Sequence, residues 1–198
     1  MRFKFNKDKA ALLVIDMQKG FIEEGAAMEV APGREIIPNI KSLISGFRKA
    51  QVPVIFTRFV YSTKVPNLIG ELHDKHKPPV GCCMQGDPSA EIVKDLKPRD
   101  QELIVDKHGY DAFRHTNLDY ALRSQGISQL IFTGVMTDIC VLSTITSALH
   151  LEYQVWAIRD ATATIWPQVQ EITLDLIARA YGMLADTEET LGNLQSTI

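Results

Sequence analysis

Three side chains capable of covalent chemistry lie at or just after predicted strands: Asp16, Lys107 and Cys140. A cysteine nucleophile needs a group that removes its proton, and a nearby carboxylate can do this and later protonate a leaving group. A lysine ammonium beside them favours both the thiolate and the ionised carboxylate. These residue types together predict covalent hydrolysis of a small carbonyl compound without a histidine base.

Cys140 has a second feature of a nucleophile, its position after a strand and a tight turn. Residues 130–140 read LIFTGVMTDIC, a buried strand that leads through the turn into a helix. Either Thr137 or Asp138 can cap this helix, which places Cys140 in the first turn. There the helix dipole and free amides favour the thiolate and can hold an oxyanion. The competing interpretation is a buried cysteine that acts only as a small hydrophobic residue.

The elements that must position these residues alternate between strands and helices. The predicted strands are Ala10–Asp16, Val52–Phe59, Glu102–Lys107, Ser128–Val135, Tyr153–Asp160 and a short Met183–Ala185. Helical patterns cover Arg34–Ala50, Asn117–Gln125, Val141–His150 and Val169–Tyr181. This alternation predicts an α/β fold with a parallel sheet and helices on both faces. Ligands bind such sheets beyond the carboxyl ends of the strands, where all three reactive groups are predicted.

The segment Val60–Lys97 is the least regular part of the chain, rich in proline and glycine, with a short helical piece at Ala90–Leu96. A connection this long in a compact domain is usually functional or disordered. We therefore expect it to form a wall or lid over the site. Because no repeat, linker or low-complexity tract interrupts the sequence, we expect one domain over residues 1–198.

The composition limits the classes of function. A chain of 198 residues with 45% apolar and 23% charged residues is typical of a globular protein with one core. Its net charge of −3 argues against binding to nucleic acid or an anionic membrane. No signal-peptide or membrane-spanning apolar run is present. Three cysteines, with Cys82 and Cys83 adjacent, do not form a disulfide framework, so we expect a reduced, cytoplasmic protein.

The same residues belong to a set of motifs that resembles the isochorismatase-like cysteine hydrolase family. The family includes nicotinamidases, N-carbamoylsarcosine amidohydrolases, and ureidoacrylate and biuret hydrolases. The matching pieces, in the family's order, are Leu13-Val14-Ile15-Asp16-Met17-Gln18 with Phe21, Lys107 with Asp111-Ala112-Phe113 and Thr116-Asn117-Leu118, Gly134-Val135-Met136-Thr137 with Cys140-Val141, and Asp160-Ala161 with Gly182. The resemblance implies a three-layer α/β/α fold with a six-stranded parallel sheet of Rossmann-like order, and a homodimer or homotetramer.

The resemblance also implies a role for each reactive residue. Asp16 matches the family's acid/base, Lys107 its lysine and Cys140 its nucleophile. The family has a non-proline cis peptide in the turn before the cysteine, which maps to Val135-Met136. Because this peptide turns an amide toward the oxyanion, the N–H groups of Met136 and Cys140 are the matching oxyanion donors.

Departures from the family pattern concern metal binding. Nicotinamidases carry an Asp-x-His metal motif after the second strand, whereas the aligned positions here are Phe59 and Tyr61. His73, Asp74 and His76 are metal-ligand types, but in a Pro-rich loop they more often form a solvated surface. The expectation is therefore an enzyme with no metal and no cofactor.

Two further departures concern the branch of the family. Isochorismatase itself hydrolyses a vinyl ether and does not depend on the cysteine, so the presence of Cys140 favours the amide-cleaving branch. The family often has a histidine in the loop after Asp160-Ala161. The nearest match here is Gln170, which puts any role of that histidine in doubt.

Loops that leave the predicted active edge supply candidate pocket walls. Aromatic loop residues can shape a small pocket, and an arginine can hold a substrate carboxylate. Packing at a subunit contact is an equal alternative for each of them. The candidate substrate-binding residues are Phe21, Arg58, Tyr61, Phe113, Arg114 and Trp166.

The function that these observations predict is cysteine-dependent cleavage of a C–N bond in a small amide or ureido (carbamoyl) compound. The reaction would pass through a thioester-type acyl-enzyme formed on Cys140. Two alternatives stay open, a vinyl-ether hydrolase that does not need Cys140 and an inactive binding subunit. The intact Asp16, Lys107 and Cys140 argue against the second alternative. The sequence does not specify the substrate.

Overall fold

A single parallel sheet of six strands forms the middle layer of the molecule. The computed structural model of the chain describes residues 3–65, 67–76 and 80–195. The strand order is β3-β2-β1-β4-β5-β6. The strands are β1 (Ala10–Ile15), β2 (Val54–Phe59), β3 (Ile104–Lys107), β4 (Gln129–Val135), β5 (Gln154–Ala163) and β6 (Met183–Ala185). The predicted parallel α/β fold is thus confirmed.

Helices cover both faces of this sheet. They are α1 (Lys19–Ile22), α2 (Ile37–Lys49), α3 (Leu68–Leu72), α4 (Leu118–Ser124), α5 (Leu142–His150), α6 (Pro167–Leu176) and α7 (Thr187–Gln195). A π-helical turn, Thr137–Val141, leads into α5, and a second one, Ile177–Tyr181, extends α6. No helix in the described ranges combines the length and apolar character needed to cross a membrane.

The strand β1 is apolar throughout because both of its faces are buried. Leu12 and Val14 pack in the layer that contains α2 and α7. Leu13 and Ile15 point to the opposite face and pack with α4 and α5. Successive side chains of a strand alternate between faces, so one continuous apolar run supplies two cores.

The ends of several elements differ from the predicted ones. The strand β5 was expected to end at Asp160 but continues to Ala163. The Asp160 carboxylate accepts hydrogen bonds from Thr187 and Asn39, so this residue is accommodated within the strand. The helix expected from Arg34 begins at Ile37 and follows a 3-10 turn. The expected helical piece Ala90–Leu96 is instead two 3-10 turns, Pro88–Ala90 and Lys94–Leu96.

The site lies where the strand order reverses. From β1 the chain builds the sheet outward through β2 and β3, then returns to place β4 on the other side of β1. In a parallel sheet this switch point leaves a crevice at the carboxyl ends of the two central strands. Asp16 directly follows β1, and the π-helical turn that carries Cys140 follows β4.

Candidate active site

Asp16 is held in one orientation by the strand next to it. Its backbone adopts a φ of 49°, and the amide of Gln18 donates to the Asp16 carbonyl at 2.7 Å, which closes a tight turn. The hydroxyl of Thr57, on β2, donates to Asp16 Oδ1 at 2.6 Å and accepts from the Asp16 amide at 3.1 Å. One carboxylate oxygen is therefore occupied by Thr57, and Oδ2 points to Lys107.

Gln18 ties this turn to its surroundings, although the sequence assigned it no role beyond the motif. Its side chain is fully buried. The amide nitrogen donates to the carbonyls of Phe59 and Ala90 at 2.9 and 3.0 Å, and the amide oxygen accepts from the Phe59 N–H at 2.7 Å. The end of β1 is thereby fixed to the end of β2 and to the irregular segment beyond it.

Lys107 connects the other two reactive groups from the end of β3. Its ammonium lies 2.7 Å from Asp16 Oδ2, 3.4 Å from Cys140 Sγ and 2.9 Å from the Gly109 carbonyl. The side chain is completely buried, with the Phe59 ring 5.4 Å from the nitrogen. Burial alone would lower the pKa of Lys107, but the charges of Asp16 and Cys140 outweigh it, so its pKa is raised.

Cys140 lies in the π-helical turn that follows the cis peptide bond between Val135 and Met136. The cis bond confirms what the resemblance implied for this turn. The Met136 carbonyl accepts from the amides of Ile139 and Val141, both at 3.1 Å, on either side of Cys140 in the sequence. A π-type turn of this kind is rare and occurs often at functional sites.

Gly134 allows β1 and β4 to approach closely just before this turn. Its φ of 105° is open to glycine and strained for other residues. A Cβ atom at this position would lie 2.0 Å from the Ile15 carbonyl oxygen, on the neighbouring strand. The residue pairs with Ile15 in the sheet, immediately before Asp16, so it sets how closely the two reactive segments meet.

The pKa of Cys140 reflects burial as well as the helix start, which by itself favours the thiolate. Burial raises the pKa of the Cys140 thiol to about 12; Lys107 opposes this effect, and Asp16 adds to it. The direction of this shift is opposite to the expected one, because the thiol is enclosed and faces the Asp16 carboxylate as well as the ammonium. The thiol thus lies beside the contact between Lys107 and Asp16.

A small cavity of about 220 Å³ opens onto Cys140 and Asp16. Its remaining walls are mostly apolar and are formed by Phe21, Met28, Phe59, His73, Tyr110, Val135, Met136, Ile139, Ile165 and Trp166. The Tyr110 hydroxyl lies 3.1 Å from His73 Nε2. Burial, reinforced by Cys140, raises the pKa of Tyr110. Neither Tyr110 nor His73 was proposed as a pocket wall from sequence, because their contact joins distant loops.

The structure brings two of the six candidate wall residues to this cavity, Phe21 and Trp166. It places the other four elsewhere. Arg58 is paired with Asp106 at 2.7 Å across β2 and β3. Tyr61 is buried against Gly70, and Phe113 stacks on Tyr153 with 5.6 Å between ring centroids. Arg114 lies in a separate groove beside Tyr110.

The residues considered for metal binding do not form a ligand cluster in the described part of the chain, where no group of three or more suitable side chains was found. His73 instead contacts Tyr110 in the cavity wall. The His76 side chain lies outside the part of the chain that the structure describes. Gln170, at the position of the family's loop histidine, donates to the Thr162 carbonyl at 3.0 Å.

The fold and the site define a class, a three-layer α/β domain with a buried cysteine, aspartate and lysine at the carboxyl edge of a parallel sheet. Residues 10–189 match the model of the isochorismatase domain. The chain belongs to the isochorismatase family.

Relatives of known name support this placement. A ureidoacrylate amidohydrolase RutB from Serratia proteamaculans (strain 568) is 30% identical, over 98% of this chain and 86% of the relative. A cysteine hydrolase structure from Pseudomonas syringae pv. phaseolicola 1448A has a TM-score of 0.93 at 30% identity, covering 100% of this chain and 97% of the other. The N-carbamoylsarcosine amidase structure from Thermoplasma acidophilum has a TM-score of 0.79 at 27% identity, with coverages of 91% and 98%.

Proposed function

We propose that this protein is a cysteine-dependent amidohydrolase that cleaves a C–N bond in a small amide or ureido compound. The observation that carries the proposal is the contact of the Lys107 ammonium with both Asp16 Oδ2 and Cys140 Sγ, at 2.7 and 3.4 Å. A base and a nucleophile that line one cavity, with a buried cation in contact with both, are the groups that acyl transfer requires.

In the first step Asp16 removes the thiol proton as Cys140 Sγ attacks the substrate carbonyl. A raised thiol pKa is compatible with this step, because the carboxylate accepts the proton as the bond forms and no resting thiolate is needed. Lys107 keeps a positive charge beside both groups. It thereby stabilises the ionised carboxylate before attack and the developing charge on sulfur during it.

The oxyanion that forms on the substrate carbonyl would accept hydrogen bonds from the Met136 and Cys140 amides. Both residues line the cavity, and the hydrogen bonds to the Met136 carbonyl come from the amides on either side of Cys140. This pattern supports a Cys140 amide directed to substrate. Loss of one such donor in other hydrolases costs about 100- to 1,000-fold in rate.

Collapse of the intermediate breaks the C–N bond, and the proton held by Asp16 passes to the departing ammonia or amine. Water then attacks the thioester, again with Asp16 as base, and Cys140 is released as a thiol. The apolar walls and the cavity volume of about 220 Å³ favour a small acyl or carbamoyl group. Phe21 and Trp166 would form parts of this wall.

The direct test is an ammonia-release screen across small amides and ureides. We expect turnover by the native protein and none by Cys140→Ala, while Cys82→Ala serves as a matched buried-cysteine control with activity close to native. Ammonia release that persists in Cys140→Ala would contradict Cys140 as the nucleophile. The vinyl-ether alternative instead predicts no ammonia release by either protein and cleavage of a vinyl ether by both. A native protein that binds such compounds without turnover would favour a binding subunit.

We also infer that the enzyme acts in the cytoplasm as a homodimer or homotetramer, without nucleic acid or membrane partners. Support comes from the family resemblance and from the three cysteines, none of which forms a disulfide. Apolar side chains are also exposed at α6, with Trp166 at its N-cap 54% and Ile172 within it 68% exposed. Light scattering of the purified protein measures the mass of the assembly.

A further inference from the structure

Cys82 and Cys83 form a pair of reduced thiols behind the wall of the cavity. Their Sγ atoms lie 3.8 Å apart, although adjacent residues usually direct their side chains away from each other. The backbone of Cys83 has a φ of 57°, a conformation uncommon outside glycine, which turns its sulfur toward Cys82. Both sulfurs pack on Gly20, where an added Cβ would lie 2.8 Å from each.

The two thiols differ in access and in acidity. Cys82, Gly20 and Ser89 line an open surface cavity of about 360 Å³. Cys83 is completely buried behind it. The hydrogen bond between the thiols lowers the pKa of Cys82 and raises that of Cys83 far above its ordinary value. Cys82, which lines the surface cavity, is therefore the thiol that an oxidant from solvent meets first, and Cys83 Sγ lies 3.8 Å from its sulfur.

We propose that this pair is an oxidative modification site, at which hydrogen peroxide converts Cys82 and Cys83 into a vicinal disulfide that lowers catalysis. The Cys82 thiolate attacks the peroxide, which breaks the O–O bond and releases hydroxide, and becomes a sulfenic acid. Cys83 Sγ then attacks the Cys82 sulfur. Its proton leaves with the sulfenic hydroxyl as water, so two thiols are oxidised and one peroxide is reduced to two waters.

Closure of the disulfide must move atoms that support the active site. An S–S bond of about 2.05 Å requires the sulfurs to approach by about 1.8 Å from their reduced separation. Cys83 packs in one buried cluster with Phe59, and Phe21 and Met28 pack on that cluster. These three residues also line the cavity at Cys140. Closely packed side chains cannot accommodate a shift of Cys83 without moving themselves. A shift of Cys83 therefore changes the positions of the residues in the cavity wall.

The chemistry is tested by peptide mass spectrometry in the Cys140→Ala protein, which removes the other oxidisable cysteine. After treatment with hydrogen peroxide we expect the peptide that contains both residues to lose two hydrogens and to regain them with dithiothreitol. Cys83→Ala should instead accumulate a sulfenic acid on Cys82 that dimedone traps. Overoxidation of Cys82 in the parent protein without any cross-link would overturn the proposal, as would no reaction at all.

The effect on catalysis is tested in protein that retains Cys140, by comparing native enzyme with Cys82→Ser. We expect peroxide to lower kcat/KM of the native enzyme reversibly and by at least about threefold more than that of the variant, because only the native enzyme closes the disulfide. Equal losses in both would place the inactivation at Cys140 alone and overturn the regulatory part. This readout needs only a substrate that the native enzyme turns over, whichever mechanism cleaves it.

Discussion

The three cysteines of this protein are all buried but lie in two different settings. Cys140 faces an ion pair formed by Lys107 and Asp16 and has no second thiol beside it. Cys82 and Cys83 face each other, near an open surface cavity. Burial alone therefore does not determine the chemistry of a thiol. The chemistry depends on the group next to the thiol. A carboxylate can act as a base for Cys140, whereas a second sulfur can form a disulfide with Cys82.

The largest expected difference between the two settings is in turnover. Cys140→Ala should lower kcat/KM by at least about 1,000-fold, because it removes the atom that forms the covalent intermediate. Cys82→Ala should leave it within about threefold. Circular dichroism of both variants checks that each is folded. A folded Cys140→Ala protein with native kcat/KM contradicts the covalent mechanism.

The second comparison is between the buried ion pair next to Cys140, formed by Lys107 and Asp16, and an ion pair at the surface. Lys107→Met should lower the free energy of unfolding by about 3–5 kcal/mol, because it leaves the Asp16 charge buried without its cation. Arg58→Met removes a partly exposed pair with Asp106 and should cost about 1 kcal/mol or less. Urea denaturation measures both values. Equal costs would mean that water reaches the site and screens the charge.

Alkylation as a function of pH separates the thiols directly. Because the pKa of Cys140 is raised to about 12, its rate of reaction with iodoacetamide should increase about tenfold per pH unit from pH 7 to 10, without a plateau. The pKa of Cys82 is lowered, so its rate should level off at a lower pH. Mass spectrometry of the labelled peptides follows each site. A plateau for Cys140 below pH 8 would show a resting thiolate.

The smallest expected effect comes from the residue that orients the base. Thr57→Val removes the hydrogen bond to Asp16 Oδ1 and should lower kcat/KM about tenfold, equivalent to about 1.4 kcal/mol. Thr57→Ser keeps the hydroxyl and should restore most of the rate. Steady-state kinetics across pH distinguishes a misplaced base, which changes the pH profile, from a packing defect, which changes only stability. Failure of Thr57→Ser to recover activity would point to packing.

Features that depend on local pattern were predicted well. The apolar runs located all six strands, and Met183–Ala185 was predicted with the bounds of β6. The reactive residues at strand ends were also visible, because a polar side chain after a fully apolar run is a strong local signal. Boundaries failed where a tertiary partner satisfies a polar group, as at Asp160, since that partner is distant in sequence.

The walls of the cavity were predicted poorly. Arg58 was expected at the site because it lies near the end of β2, but its side chain pairs with Asp106 on the neighbouring strand. Tyr110 and His73 were missed because no local pattern links two loops that meet only in the folded chain. Thr57 was missed for a similar reason, since one threonine in a strand is ordinary until its neighbour is known.

By itself, the sequence determined the parallel α/β architecture and the presence of an aspartate, a lysine and a cysteine at strand ends, because hydrophobic periodicity and residue type are local properties. Only the tertiary structure decided that Lys107 spans the distance to both Asp16 and Cys140. It also decided that burial raises the pKa of the Cys140 thiol. The pKa of a side chain depends on its burial and on the charges near it. Here those charges come from residues at the ends of different strands, so neither the burial nor the charged surroundings are set until the chain folds.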